Sequence, residues 1–588
     1  MPIPDPRDFG SVSRREFLRA SASGILGASL FDPRPRHGFA PREWPDDAYP
    51  EVIAALRRSI PRLMERRDIP GLSIALGEGG RVLWSEGFGH TDRSRAVPVT
   101  ADTPFFVGSI SKSFTALGVL RAASRGALSL DEPLAAYLPW FALRSRSGAS
   151  AARGITLRHL LSHHAGLGTW APLGNPYEPD YLRRSWEEVV RSTAGSWLKS
   201  EPGYRFEYSN QGIDLAGFAL QSATGRPFEA FMEAEVLRPL GMTSSTFAGG
   251  TDSTSPQPYE GARPVPLHQG AIHPMRAAGG LRASANDLAR FVAFHLGGAP
   301  AGGGVFVDAA RLREMYAPQF SAREQPSGYG LGVYGAIEHG TPRYSHGGLG
   351  FGVSTHYRWL PEHGIGVVVL TNQGSAHNAP ALAGEAVQLM LRAKLGMLPR
   401  NGIPAPTASP PATGPALETF AGSYLLYDGI VARFEAVRGR LVQRFGRDSQ
   451  PLERTGAAEF AQGSRRFVFS MDDHGAPRSL RIEDPYYDPS SAENSVLHYA
   501  FNDGAARAGE GAAEEWRRYA GTYRGSFIGA EAKVVISLRA GHLYLDDTLL
   551  LSPGAPDLFF LADGESVAFS PDRVVVGNRP FVRSGGSG

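Results

Sequence analysis

The segment Phe105–Leu120, FFVGSISKSFTALGVL, sets three serines, Ser109, Ser111 and Ser113, around Lys112, one of four lysines in a chain of 588 residues. A serine hydroxyl is a poor nucleophile until a neighbouring base takes its proton. A lysine amine serves as that base when burial lowers its pKa from about 10.4 toward neutrality. Spacing separates the three serines. The run after Gly108 reads as a helix, with Phe114, Leu117, Val119 and Leu120 near helical period before a stop at Gly126. Side chains at i and i+3 are neighbours on a helix while i and i+1 diverge, so only Ser109 shares a face with Lys112. Ser109 also falls at the helix N-terminus, where free N–H groups can meet a developing oxyanion. Arginine supplies nearly all of the positive charge of this chain and cannot release its proton, so a lysine in an apolar run carries chemical meaning.

A second Ser-x-x-Lys, SWLK at Ser196–Lys199, has the same spacing. It leads into the polar SEPGYRF with no strand feeding it, and it reads as a solvated lysine at a helix end. The absence of cysteine removes a thiol nucleophile, thiolate metal sites and disulfides together. No GxSxG occurs, which argues against a nucleophile-elbow hydrolase. His163 and His164 are adjacent, yet no third ligand follows at metal spacing, so neither a metal nor another cofactor is expected.

These residues need elements to hold them. About 42% of the residues are apolar, enough for large cores, and the length suggests two to four domains. The nearly balanced formal charge, +2, gives no footprint for nucleic acid. At the N-terminus, SRREFLRA (Ser13–Ala20) precedes a short apolar run and reads as a twin-arginine export signal, so residues 1–40 are set apart from the fold and a periplasmic or extracellular location is expected. No other stretch is long and apolar enough to span a bilayer, so no membrane anchor is expected in the mature protein. Residues 41–396 mix helical and strand periods. The Pro-rich 397–415 reads as a linker, and 416–588 turns strand-rich. There, FAGSY (Phe420–Tyr424) recurs as YAGTY (Tyr519–Tyr523), each followed by a Gly-led strand, which suggests two related β units over 416–510 and 511–583 building a barrel or sandwich.

Six blocks then occur in order: GSISKS, ITLRHLLSHHAGLG (Ile155–Gly168), PGYRFEYSNQG (Pro202–Gly212), RPLGMTSSTF (Arg238–Phe247), GGLRASANDLARF (Gly279–Phe291) and YSHGGLGFGVS (Tyr344–Ser354). In this order they resemble the serine β-lactamase-related family, which includes class C β-lactamases, D,D-peptidases, D-aminopeptidases and family VIII esterases. The resemblance covers roughly residues 48–396. It implies an α+β class: a β-lactamase/transpeptidase-like domain, with an antiparallel sheet flanked by helices, followed here by an all-β, barrel-like C-terminal region. It also implies Ser109 as nucleophile and Lys112 as its partner. Tyr208 of YSN would shuttle protons to and from the leaving group, and Asn210 would orient the substrate. HGG (His346–Gly348) stands where relatives carry KTG or HxG, which puts His346 and Gly348 at the substrate, with Leu349 giving a second oxyanion N–H beside that of Ser109.

The missing KTG lysine is a departure, because a histidine is shorter and mostly neutral near pH 7. It puts dedicated β-lactam hydrolysis in doubt. The expected reaction is acyl transfer from an amide or ester, with a D-amino-acid peptide or amide or a small ester as substrate. A β-lactamase or penicillin-binding protein, and a sensor that is acylated without turnover, stay open. The partners expected are a small molecule or short peptide and, through the β region, cell-wall material.

Overall fold

The computed structural model describes residues 48–584 with interruptions, the longer ones at 397–413, 484–495 and 499–513. The export signal read at 1–40 and most of the linker read at 397–415 lie outside the described residues.

The first part of the chain is a sheet with helices on both faces. Helix α1 (Ala48–Arg67) leads into the hairpin β1 (Gly71–Glu78) and β2 (Arg81–Gly89). Three helices follow that matter for the site: α2 (Ser111–Ser124), α3 (Asn210–Thr224) and α4 (Ala285–His295). The chain then returns to the sheet as β3 (Gly328–Tyr329), β4 (Tyr334–Glu338), β5 (Thr341–Gly350), β6 (Val353–Leu360) and β7 (Ile365–Thr371), and α5 (Asn378–Leu395) closes it. The strand order is β2-β1-β7-β6-β5-β4-β3, and every neighbouring pair is antiparallel.

Strand period decides which side chain meets which helix layer. Leu72, Ile74 and Leu76 on β1, with Val367 and Val369 on β7, pack in one core with Val52, Leu56 and Ile60 of α1 and Leu382, Ala386, Val387 and Met390 of α5. The alternate residues Ala75, Val368 and Leu370 join the larger core on the opposite face, with α2, α3 and α4. The stretch before Ser109 is a strand only at Phe105–Phe106, which pairs with Arg282–Ala283 outside the main sheet.

The C-terminal region is all β. Eight strands between Gly422 and His498 form a meander in sequence order, and its first and last strands approach each other, so the sheet curls. Nine strands between Gly521 and Arg583 form a second sheet; its two edge strands, Leu549–Leu550 and Ser552–Ala555, are consecutive in the chain. Both repeat copies open on a 3-10 turn, Leu417–Phe420 and Glu514–Tyr519. The glycine of each copy has the same backbone, φ 156° at Gly422 and 157° at Gly521. The last aromatic of each turn, Phe420 or Tyr519, is buried in the core of its own sheet.

Candidate active site

Helix α2 is buried almost all round, with Arg121 and Ser124 the members outside its buried set. A polar side chain in such a helix needs a partner, because an unpaired buried group costs about 1–3 kcal/mol. Those partners settle which serine uses the lysine. Ser111 Oγ donates to Gly108 O at 2.6 Å and accepts from Leu281 N at 3.0 Å. Ser113 Oγ donates to Gly332 O at 2.5 Å and also meets Tyr357 OH. Lys112 Nζ reaches Ser109 Oγ at 2.9 Å and the Ala278 carbonyl at 2.8 Å. Ser109 itself lies on a 3-10 turn, Gly108–Ile110, that runs directly into α2.

Burial fixes the chemistry of that lysine. Lys112 has no solvent exposure, and desolvation lowers its pKa to about 7, against an opposing pull from Asp214. At neutral pH the amine is therefore available as a base. Tyr208 approaches from the other side and donates its hydroxyl to Ser109 Oγ at 2.9 Å, while Lys112 Nζ lies 5.0 Å from its ring centroid. The Ser109 hydroxyl thus sits between two groups able to exchange its proton.

Two of the sequence blocks lock together to place Tyr208. The Gly168 carbonyl accepts from Ser209 Oγ and Gln211 Nε2, each at 2.7 Å, and the Thr169 carbonyl accepts from Asn210 N at 2.9 Å. Ser209 N donates to His163 Nδ1 at 3.1 Å, which leaves the second His163 nitrogen to carry the proton. The His163 ring lies 4.4 Å from that of Tyr208, and burial holds its pKa well below the usual histidine range, so it is neutral. Ser209 caps α3 by accepting from Gly212 N at 3.0 Å. Asn210 begins the helix, and its Oδ1 is buried with no hydrogen-bond partner among the described residues.

The third block closes the site through backbone. Gly108 has φ 56°, and a Cβ built there would lie 3.3 Å from Gly348 Cα and 3.5 Å from Leu349 N, so β5 runs directly against the nucleophile turn. A Cβ on Gly348 would fall 2.0 Å from Val107 O and 2.3 Å from Thr355 Oγ1, which no side chain can occupy. His346 is buried, its Nδ1–H donates to Gly347 O at 2.8 Å, and its Nε2 accepts from Tyr329 OH at 3.0 Å. Both ring nitrogens are thus engaged by protein. The Leu349 side chain is 44% exposed at this edge.

The structure therefore brings Ser109, Lys112, Tyr208, Gly348 and the Leu349 backbone to one place, with Asn210 two residues past Tyr208 at the start of α3 and His346 joined through Tyr329 to the His163 ring beside Tyr208. The second Ser-x-x-Lys differs from its reading. Lys199 is neither solvated nor on a helix: it is buried and paired with Glu207 Oε2 at 3.1 Å, in an irregular segment whose neighbour Trp197 bridges to Arg144. Among the described residues no group of three or more His, Asp or Glu side chains is placed to hold a metal ion. Two participants went unread in the sequence: the Ala278 carbonyl and Asp214. Asp214 showed one signal, an acid between Ile213 and Leu215 on an apolar helix.

Comparison with known proteins gives the family and the fold. The family model described as Beta-lactamase matches residues 56–390. Esterase EstB of Burkholderia gladioli is 29% identical over 358 residues, 54% of this chain and 88% of that protein. Protein flp of Staphylococcus aureus (strain MRSA252) is 29% identical over 186 residues, 31% of this chain and 36% of its own length. The octameric penicillin-binding protein homologue from Pyrococcus abyssi shares the fold, with a TM-score of 0.52 at 24% identity over 73% of this chain and 98% of that one.

Proposed function

Since the chain belongs to the beta-lactamase family and is a serine hydrolase, we propose that it cleaves a small ester or a D-amino-acid amide through an acyl-enzyme on Ser109. The observation that carries this reading is the convergence of Lys112 Nζ and Tyr208 OH on one serine oxygen, each at 2.9 Å.

The steps follow from the groups present. Uncharged Lys112 takes the Ser109 proton as Oγ attacks the substrate carbonyl, forming the C–O bond and moving the carbonyl pair onto oxygen. The N–H groups of Ser109 and Leu349 meet that oxyanion. Tyr208 passes a proton to the leaving oxygen or nitrogen as its bond to carbon breaks, and the serine is left acylated. Water then gives a proton to Tyr208 as it attacks the acyl carbon, and Lys112 returns its proton to Ser109 Oγ as the ester bond breaks and the acid leaves. The open Oδ1 of Asn210 offers an acceptor to an amide N–H of the substrate.

Two features support an ester or amide over a β-lactam. The histidine at the KTG position has both ring nitrogens engaged by protein, so it has no open N–H to turn toward a substrate carboxylate. The sequence relative EstB is by name an esterase, and the exposed Leu349 gives the site an apolar edge. A panel of p-nitrophenyl esters, D-amino-acid p-nitroanilides and nitrocefin, with Ser109→Ala as control, tests the proposal. Turnover of the first two with none in the control is expected. Nitrocefin as the best substrate, or full activity in Ser109→Ala, would overturn it. We further propose export by the twin-arginine route, on the strength of Ser13–Ala20; normal export after Arg14→Lys/Arg15→Lys would argue against it.

A further inference from the structure

Asp214 is a buried acid that the steps above do not use. It lies on α3 within the stretch Asn210–Leu220, every residue of which is buried. Its Oδ1 accepts three hydrogen bonds, from Trp186 Nε1 at 3.1 Å, Ala277 N at 2.8 Å and Ala278 N at 3.1 Å. The same two residues present their carbonyls to α2: Ala277 O accepts from Thr115 Oγ1 at 2.7 Å, and Ala278 O accepts from Lys112 Nζ at 2.8 Å. The Ala277–Ala278 segment is thus held by its N–H groups on one helix and by its carbonyls on another. One oxygen that gathers three donors in a dry setting is best served by an ionised carboxylate, since charge strengthens each bond.

We propose that Asp214 is a positioning residue of the hydrolytic site: through the Ala277–Ala278 segment it aims the Ala278 carbonyl at the Lys112 amine, and it gives that amine a buried counter-charge. The inference rests on the reading of Lys112 as the base of Ser109. The charged and titratable groups around the pair are few. Arg276 lies on the Asp214 side, its guanidinium 5.0 Å from the Trp186 ring centroid and paired with Glu229. Tyr208 and neutral His163 face Lys112. Burial raises the Asp214 carboxyl to about 7, with Lys112 and its three donors pulling it back down, and Lys112 comes to about 7 from above. The two groups therefore titrate in the same range, near neutrality. The carboxylate holds a proton on Lys112 to higher pH than burial alone would.

Removing the charge should free the amine earlier. Asp214→Asn keeps an acceptor oxygen and loses the counter-charge, so Lys112 deprotonates at lower pH and the acid limb of kcat/KM moves down by about one pH unit. Trp186→Phe removes one donor, disfavours the ionised carboxyl, and should move the limb the same way by less. These profiles are measured with a p-nitrophenyl ester on the full chain. An unmoved limb, or one moved to higher pH, overturns the inference. Should Asp214→Asn fail to fold, Trp186→Phe decides by the same criterion. Lys112→Ala separates this inference from the reading beneath it. Sustained turnover in Lys112→Ala would remove the lysine as base. An inactive Lys112→Ala with an unmoved limb in the other two would remove only the role of Asp214.

Discussion

Replacing Lys112 by methionine should abolish turnover and yet stabilise the catalytic domain near neutral pH. The lysine is held with its pKa at about 7, against 10.5 for the free side chain. The unfolded chain therefore binds its proton more tightly between these two values. Stability of the parent protein rises with pH across that window, and below about pH 7 the penalty is complete. The gap of about 3.5 pH units, at 1.36 kcal/mol each, sets it at about 5 kcal/mol. Methionine fills a similar volume without charge but leaves the Ala278 carbonyl unpaired, at a cost of about 1–3 kcal/mol. The net gain is then about 2–4 kcal/mol at pH 6. It shrinks as pH rises and reverses at roughly pH 8–10, where the protonation penalty remaining in the parent falls below the cost of the unpaired carbonyl. Asp214, without its cation, becomes harder to ionise, which moves the crossing to lower pH rather than higher. Thermal unfolding of both proteins from pH 6 to 10 gives the difference directly, with the titrating groups other than Asp214 cancelling. A Lys112→Met protein less stable than the parent at pH 6, or a difference that does not depend on pH, would refute the reasoning.

Three further outcomes follow from packing. Gly348→Ala would put a methyl 2.0 Å from Val107 O, so β5 must move off the nucleophile turn and kcat/KM should fall at least tenfold; parent-like turnover would contradict the contact. Ser111→Ala should lower stability by about 1–3 kcal/mol by stranding Leu281 N, while a fluorophosphonate still labels Ser109; loss of labelling with the fold intact would count against Ser111 as a purely structural hydroxyl. Glu207→Gln should cost about 3–5 kcal/mol by leaving Lys199 charged in a buried site, whereas Asp180→Asn, in the exposed pair with Arg183, should cost about 0–1 kcal/mol. Equal urea midpoints for the two variants would refute the distinction.

The sequence disclosed the parts of the site that depend on local spacing. Ser109 and Lys112 are one helical turn apart, so the helix geometry that makes them neighbours could be read from four residues. Tyr208, Asn210 and the glycine of HGG required the ordered blocks, because the contacts that seat them, such as Ser209 N on His163 Nδ1, join residues far apart in the chain. Lys199 was misread for the same reason: its partner Glu207 lies beyond a turn, and no spacing rule connects the two. The Ala278 carbonyl was illegible in principle, since a backbone acceptor has no residue type. In the fold, β1 and β7 are near-continuous buried runs, which fit strands covered on both faces but carry no sign of the order in which the strands lie side by side.

That order has a consequence for synthesis. Strand β1, with all but its last residue buried, pairs on one side with β7 along its length, from Leu72 opposite Thr371 to Glu78 opposite Ile365. The N-terminal hairpin of the sheet therefore waits for a strand made nearly 300 residues later. At the usual 5–20 residues per second, roughly 15–60 s pass in which Leu72, Ile74 and Leu76 have only α1 of their core partners, with β7 and α5 still to be made. Until the ribosome has passed Thr371 the sheet lacks its interior strand β7: nucleophile and base can already be neighbours on one helical turn, but the sheet that carries β5 against that turn is still incomplete.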